Sequence, residues 1–327
     1  MKAWLLDKFE GVKTLRLGDV ADPVAGAGEV VLDVEFASLN PADRYLAEGQ
    51  YPARPPLPHI LGRDAVGVVS AVGSGVADVR VGDRRVVLRG DVGVSRAGTL
   101  AQRVAAPVQS LVDVPAGWSR EESAGATLVY LTAYQALTQW GTLPPSVVLV
   151  TGASGGVGVA TIQLASVMGH TVVGLSRSAE KRKRILELGA AIEMDSEDPQ
   201  WPRRLKEQMP DRRVDLAVDN IGGEQFSQVI ETLGNNGRVS VVGRLAGPVP
   251  DFNTASLFFR RLKIGGVAVG AYTNAESRAA WADVVTLLAK SGAKPLVDGV
   301  FDFGQVPQAF ERLARGPMGK VVVKVRG

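Results

Sequence analysis

Two stretches of this sequence combine residue types at spacings that could do chemistry. The first is "VTGASGGVGVA", residues 150–160. A dinucleotide fingerprint is G-x-G-x-x-G between a strand and a helix. Its glycines serve a tight turn, close approach of backbone to a pyrophosphate, and helix–strand packing. The matching register here is Ala153-x-Gly155-x-x-Gly158, with Gly152 directly before it and Ser154, Gly156 and Val157 inside it. Alanine therefore stands in the first glycine's place. Free amides at the start of the following helix, and the helix dipole, would favour an anion. A plain strand–helix turn is the alternative that the motif alone leaves open. The apolar strand before it, the apolar-faced helix after it and a second strand beyond favour a phosphate cradle.

The second stretch, "LSRSAEKRKR", follows at the end of that second strand. An NAD site would place Asp or Glu there to accept the ribose hydroxyls. Ser176 and Arg177 stand in that place instead, followed by Lys181, Arg182, Lys183 and Arg184. Lys181 falls in the first turn of a helix that Ser178 would cap, where a cation opposes the dipole at about 0.3–1 kcal/mol. A bound 2′-phosphate would reverse that penalty through charge-assisted hydrogen bonds. Arg177 and Lys181 are thus read as phosphate ligands and the cofactor as NADP(H). Arg182 and Lys183 are read as a solvated basic face.

Elements that position these residues can be read from the pattern. Residues 1 to about 120 give short Val-rich strands, 29–37, 65–73 and 84–90, bounded by turn residues. From 121 a long helix is expected, capped by Ser119 and stopped by Gly141. Apolar strands then alternate with helices: strands at 146–152, 171–176, 214–220, 237–243 and 263–269, helices at 155–169, 179–190 and 223–233. Val157, Ala160, Leu164 and Met168 would share one helix face. Such alternation predicts a parallel, doubly wound sheet. A helix at 275–292 and a strand at 320–325 follow and are expected to rejoin the first module. The expected fold is α/β: a mostly-β domain of 1–120 with 271–327, and a nucleotide-binding domain of 121–270.

Composition narrows the chemistry. The 327 residues contain no cysteine, which excludes thiolate metal sites, iron–sulfur clusters and cysteine nucleophiles. His59 and His170 are the only histidines. The net charge of +3 from 37 basic and 34 acidic residues gives little reason to expect nucleic acid as a main partner. No apolar run spans a membrane, and the N-terminus is too polar for a signal segment, so a soluble, cytoplasmic protein is expected.

The chain resembles the medium-chain dehydrogenase/reductase superfamily, and within it the zinc-free quinone oxidoreductases. The matching stretches are "SLNPADRYLAEGQYP", "LGRDAVGVVSAVGSGVADVRVGD", "AGATLVYLTAYQAL", "TGASGGVGVATIQLA", "VDLAVDNIGG" and "GKVVVKV". The resemblance implies a GroES-like β domain around a Rossmann domain. It also implies that Asn40, Tyr45 and Tyr51 line the nicotinamide cleft, Tyr51 either donating a proton, as in enoyl-thioester reductases, or only packing. Thr132, Asn220, Gly243 and Val267 fall in cofactor-contacting segments. Arg315 aligns with an arginine that meets the 2′-phosphate, or else it is solvated. Zinc-dependent relatives carry a cysteine near Ser38–Asn40 and Gly-His-Glu where this chain has Gly62-Arg63-Asp64, so no catalytic zinc is expected. His59 nearby reads as structural. The implied reaction is hydride transfer from NADPH to a quinone or other activated enone. Two alternatives remain: an enoyl-thioester reductase, with Arg54 and Arg63 at a basic entrance, and, less favoured, a cofactor-bound RNA-binding or structural protein. A homodimer through the Rossmann sheet edge is carried as analogy.

Overall fold

The computed structural model describes residues 1–88, 90–248 and 253–326. The chain forms two compact units, Met1–Leu128 with Tyr272–Ala279 and Lys294–Gly327, and Val129–Ala271 with Ala280–Ala293. The division falls at Leu128 rather than at 120, and Ala280–Ala293 goes with the second unit.

The first unit is built on a long strand. β1 (Lys2–Leu6) pairs antiparallel with β2 (Leu15–Asp19). β3 (Glu29–Ser38) leads into α1 (Pro41–Ala47), whose proline sits in the first turn, where no helical N–H is lost. The short β4 (His59–Ile60) pairs with β1, and β5 (Asp64–Val72), β6 (Arg84–Val87), β7 (Arg103–Pro107) and β8 (Leu111–Asp113) complete the N-terminal strands. β3 pairs antiparallel with both β5 and β7, and β6 links β5 to β8. α2 (Arg120–Ala124) opens on a capping box: Ser119 Oγ accepts from Glu122 N at 3.1 Å and Glu122 accepts from Ser119 N at 2.6 Å.

The single long helix expected after Ser119 is broken in two. α2 ends at Gly125, and α3 (Thr127–Thr138) begins two residues later. A Cβ at Gly125 would lie 3.2 Å from Lys320 Cβ, so the break brings backbone close to a buried side chain.

The second unit alternates strands and helices. They are β9 (Val147–Val150), α4 (Gly156–Val167), β10 (Thr171–Ser176), α5 (Ala179–Glu187), β11 (Ile192–Asp195), α6 (Trp201–Gln208), β12 (Val214–Asp219), α7 (Gln225–Thr232), β13 (Leu233–Val241), α8 (Ala255–Arg260) and β14 (Lys263–Gly266); of α9 (Asn274–Ser291), the residues from Ala280 on belong to this unit. The six strands are all parallel, in the order β11-β10-β9-β12-β13-β14. That is the 3-2-1-4-5-6 arrangement of a Rossmann sheet, whose ligands lie beyond the carboxyl ends of the strands. Val147, Leu149, Val173, Leu175, Trp201, Phe226 and Val239 fill its core. α4 is not one-faced as expected: every residue from Gly158 to Ala165 is buried. It lies between the sheet and α3, and the Tyr130 hydroxyl of α3 bonds Gln163 of α4.

The chain then returns through β15 (Val297–Asp302), α10 (Val306–Ala314) and β16 (Lys320–Lys324). β16 runs parallel to β15 and antiparallel to β3, extending the first sheet. No helix among the described residues is long and apolar enough to cross a membrane.

Both histidines are buried and held below the ordinary histidine range, chiefly by burial. The Arg63 charge pushes His59 further the same way. The unfolded chain therefore binds protons that the folded chain does not. Their stability is fully present above about pH 6.5 and declines as pH falls below it. A fall in melting temperature between about pH 7 and about pH 5 is expected, shallower in His59→Gln/His170→Gln. Parallel curves for wild type and variant would assign the acid loss to other groups.

Candidate active site

The glycine loop after β9 shows how its three glycine roles are filled. Gly152 has φ +57, so it supplies the tight turn. Ala153 keeps an ordinary negative φ and is fully buried, with its N–H bonded to Leu175 O at 3.0 Å. Alanine is tolerated because the turn sits one residue earlier than the strict register places it. A Cβ at Gly158 would lie 2.3 Å from Gly152 O, so this glycine is required for packing. At Gly155 an added Cβ would meet only Gly152 O at 3.4 Å, which leaves the space above it open to a ligand. Gly155 is also the N-cap of α4 and gives that helix no side-chain cap. Ser154, Gly156 and Val157 complete the loop, and the α4 amides and dipole favour an anion here.

At the end of β10, Ser176 is 6% exposed and its Oγ lies 3.5 Å from Ser154 Oγ. Ser178 caps α5 by accepting from Lys181 N at 3.4 Å, and Lys181 stands in the first turn. Arg177 is exposed beside it. Arg182 is not the solvated residue expected. Its Nε meets Glu193 at 2.8 Å, and its Nη1 meets Asp195 at 2.9 Å and the carbonyls of Ser176 and Arg177 at 3.0 Å each. Asp195 is the strand neighbour of Ser176. Arg182 thus neutralises the nearby carboxylates and fixes the backbone that carries Arg177. Lys183 is exposed. The result is a basic rim in which Arg182 engages Glu193 and Asp195, suited to a phosphate.

A buried aspartate that sequence reasoning passed over organises the end of β12. Asp219 accepts from Thr151 Oγ1 at 2.6 Å and from the N–H groups of Ile221 and Gly222 at 3.2 Å each. Thr151 Oγ1 in turn accepts from Asn220 N at 2.9 Å, and Asn220 Nδ2 donates to Thr151 O at 2.8 Å. Asn220 Oδ1 is buried with no partner, an acceptor held ready beside the glycine loop. A Cβ at Gly243 would lie 2.9 Å from Asn220 O, and Val267 N bonds Val241 O at 2.9 Å. Thr132 is half-buried on α3. These residues fit a dinucleotide laid across the strand ends. Arg315 belongs to the other unit, exposed at the end of α10 and 4.0 Å from Glu311.

The first unit holds a buried polar cluster around Asp64. Its Oδ2 accepts from Asn40 Nδ2 at 2.8 Å and Ser38 Oγ at 3.2 Å, and meets Lys320 Nζ at 3.4 Å. Its Oδ1 accepts from Thr127 Oγ1 at 3.0 Å and Leu128 N at 3.2 Å. The carboxylate therefore stands at the N-terminus of α3, where the dipole favours it. Lys320 Nζ also donates to Asn40 Oδ1 at 2.6 Å and Leu39 O at 3.0 Å. Burial pushes Lys320 below the usual lysine range, opposed by Asp64 and Asp43. Asn40 is thus clamped at both ends of its amide. The pattern "GKVVVKV" places Lys320 in a strand and carries no sign that its ammonium lies inside.

Tyr51 is half-buried, with its hydroxyl accepting from Arg63 Nη1 at 3.0 Å and its ring 4.4 Å under the Arg63 guanidinium. Tyr45 lies under Arg44 at 5.3 Å, and its hydroxyl is buried without a partner. These donors do not fit a zinc ion. Ser38, Asn40 and Arg63 offer no thiolate or imidazole, and the Lys320 ammonium already takes the cation's place beside Asp64. Among the described residues no three His, Asp or Glu side chains come together to hold a metal.

A mostly-β unit joined to a Rossmann unit with a glycine loop and basic rim defines a nucleotide-dependent dehydrogenase or reductase. Residues 26–116 match the alcohol dehydrogenase GroES-like domain, and residues 156–290 match the zinc-binding dehydrogenase family. The chain is 29% identical to quinone oxidoreductase of Mus musculus, over 99% of this chain and 97% of that protein. It is 30% identical to the synaptic vesicle membrane protein VAT-1 homolog of Homo sapiens, over 99% and 86%. It superposes on Escherichia coli quinone oxidoreductase complexed with NADPH with a TM-score of 0.90 at 25% identity, over 99% and 100%. The chain belongs to the medium-chain dehydrogenase/reductase superfamily, in its quinone oxidoreductase family.

Proposed function

We propose that the protein is an NADPH-dependent oxidoreductase that passes a hydride to a quinone or other activated enone without zinc. The observation that carries this reading is the rim at β10: Ser176 where an NAD site needs a carboxylate, Arg177 and Lys181 beside it, and Arg182 neutralising Glu193 and Asp195. The NADPH complex of the E. coli relative supports it. Gly155, the α4 amides and Asn220 Oδ1 would hold the cofactor, whose nicotinamide supplies a hydride when bound. With Lys320 in the metal's place, acceptors must already be electrophilic.

Tyr51 is proposed as proton donor. Its oxygen already accepts from Arg63, so its own proton is directed elsewhere. Fluorescence titration with NADPH, followed by turnover with benzoquinone, trans-2-hexenal and crotonyl-CoA, tests the whole reading. Absence of NADPH binding sinks it, and turnover of the thioester alone replaces the acceptor class. Tyr51→Phe is expected to slow hexenal reduction on the order of 100-fold, with benzoquinone, which can take protons from water, changed only a few-fold. Unchanged hexenal kinetics would leave Tyr51 as packing.

A homodimer is also proposed, through β14. This strand ends the second sheet, and Phe258, Phe259 and Ile264 around it are 66%, 77% and 39% exposed. Sedimentation of the purified chain at micromolar concentration decides between dimer and monomer.

A further inference from the structure

The guanidinium of Arg63 is built differently from the protein's other buried arginine anchors. Arg182 spends its nitrogens on two carboxylates and two carbonyls. Arg63 has a side chain only 10% exposed, yet its Nε and Nη2 are both buried with no acceptor. No other arginine among the described residues has two such nitrogens. Asp43 Oδ1 stands 3.4 Å from Nε and is itself without a hydrogen-bond partner. Closing that gap would satisfy Nε and still leave Nη2. His59, on which the Arg63 charge acts, is a base and can offer Arg63 no negative charge. Leaving charged N–H groups unpaired in a protein interior costs stability and marks sites that await a ligand.

The surroundings say what kind of ligand. Arg63 is stacked on the Tyr51 ring and bonded to its hydroxyl, so the two side chains are held side by side. Gly62 before it has φ +98, and a Cβ there would lie 2.5 Å from Thr99 Oγ1, so the backbone that presents Arg63 is fixed. The two open N–H groups of Arg63 match an oxygen that gains negative charge as its carbon framework is reduced.

Resting on the function proposed above, we infer that Arg63 binds the carbonyl oxygen of the acceptor and stabilises the enolate formed from a conjugated enone or enal. Reduction at the β-carbon, for which the cofactor would supply the hydride, adds an electron pair there. The C=C π pair shifts, and the carbonyl oxygen takes the negative charge against Arg63. The α-carbon then takes the Tyr51 proton, which water replaces. Arg63 thereby does the electrostatic work that a metal does in zinc-dependent relatives.

The test uses the full chain and variants Arg63→Met, Arg63→Lys and Arg63→Ala. Wild-type NADPH binding and hexenal turnover check the parent reading. In Arg63→Met, hexenal kcat should fall on the order of 100-fold or more, with NADPH affinity within about twofold. Arg63→Lys should recover part of the loss, and free guanidinium should partly restore Arg63→Ala, which a merely structural role would not allow. A second readout needs no turnover. 4-Nitrophenolate, a delocalised oxyanion like the enolate, should bind wild type with NADP⁺ present at least about tenfold tighter than Arg63→Met. Hexenal kinetics within about threefold of wild type in Arg63→Met, a loss that neither lysine nor guanidinium relieves, or equal 4-nitrophenolate binding would each overturn the inference. If wild type binds NADPH but reduces no acceptor, the functional reading fails while the 4-nitrophenolate result still decides whether Arg63 holds an oxyanion.

Discussion

Replacing Arg177 and Lys181 together with alanine should weaken NADPH binding on the order of 100-fold and leave NADH nearly unchanged. On the proposed reading each side chain makes a charge-assisted bond to a 2′-phosphate, at about 1.5–3 kcal/mol. Without the phosphate, a cation near the start of α5 is mildly unfavourable. Arg182 sharpens the contrast. It engages Glu193 and Asp195, so no carboxylate is released to welcome a bare ribose when the two cations are gone. Fluorescence titrations of both cofactors on wild type and double variant decide the matter. Equal losses for NADPH and NADH would remove the phosphate role.

Lys320→Met should destabilise the first unit by about 3–5 kcal/mol, the usual result of stranding one charge of a buried pair. Asp64 is 1% exposed and would keep its other donors without its counter-ion. Asp64→Asn in the same background should return part of the loss, since the stranded charge disappears. For units of this size each kcal/mol moves an unfolding midpoint by roughly 2–4 °C, so calorimetry resolves the single and double variants. Strict additivity, or a single-variant loss below about 1 kcal/mol, would mean that the pair is not coupled.

The parallel sheet and its motif were legible because they depend on local pattern. Strands ending in Gly152, Ser176 and Asn220 announce themselves by apolar runs and the turn residues after them. The loop register was readable only in part, since alanine at 153 hid a turn that Gly152 makes with φ +57. Arg182 departs from the solvated role expected of it because the carboxylates it binds, Glu193 and Asp195, lie on the next strand, and a charge run carries no sign of its partners. The helix expected after Ser119 is interrupted for the same reason. Its interruption answers to Lys320 and Asp64, which approach from elsewhere in the fold. Tyr51 and Asn40 could be named from resemblance, but not that Asn40 is clamped at both ends or that Arg63 stacks on Tyr51.

The span of the Asp64 cluster has a consequence for the order in which a growing chain can be completed. Its carboxylate comes from the first quarter of the sequence, and its counter-ion, Lys320, lies 256 positions later in the closing strand. As synthesis proceeds from the N-terminus, every residue of the Rossmann sheet emerges before that ammonium does. The first unit is therefore sealed only after the Rossmann sheet has been made, and its buried anion must wait, solvated, until Lys320 emerges.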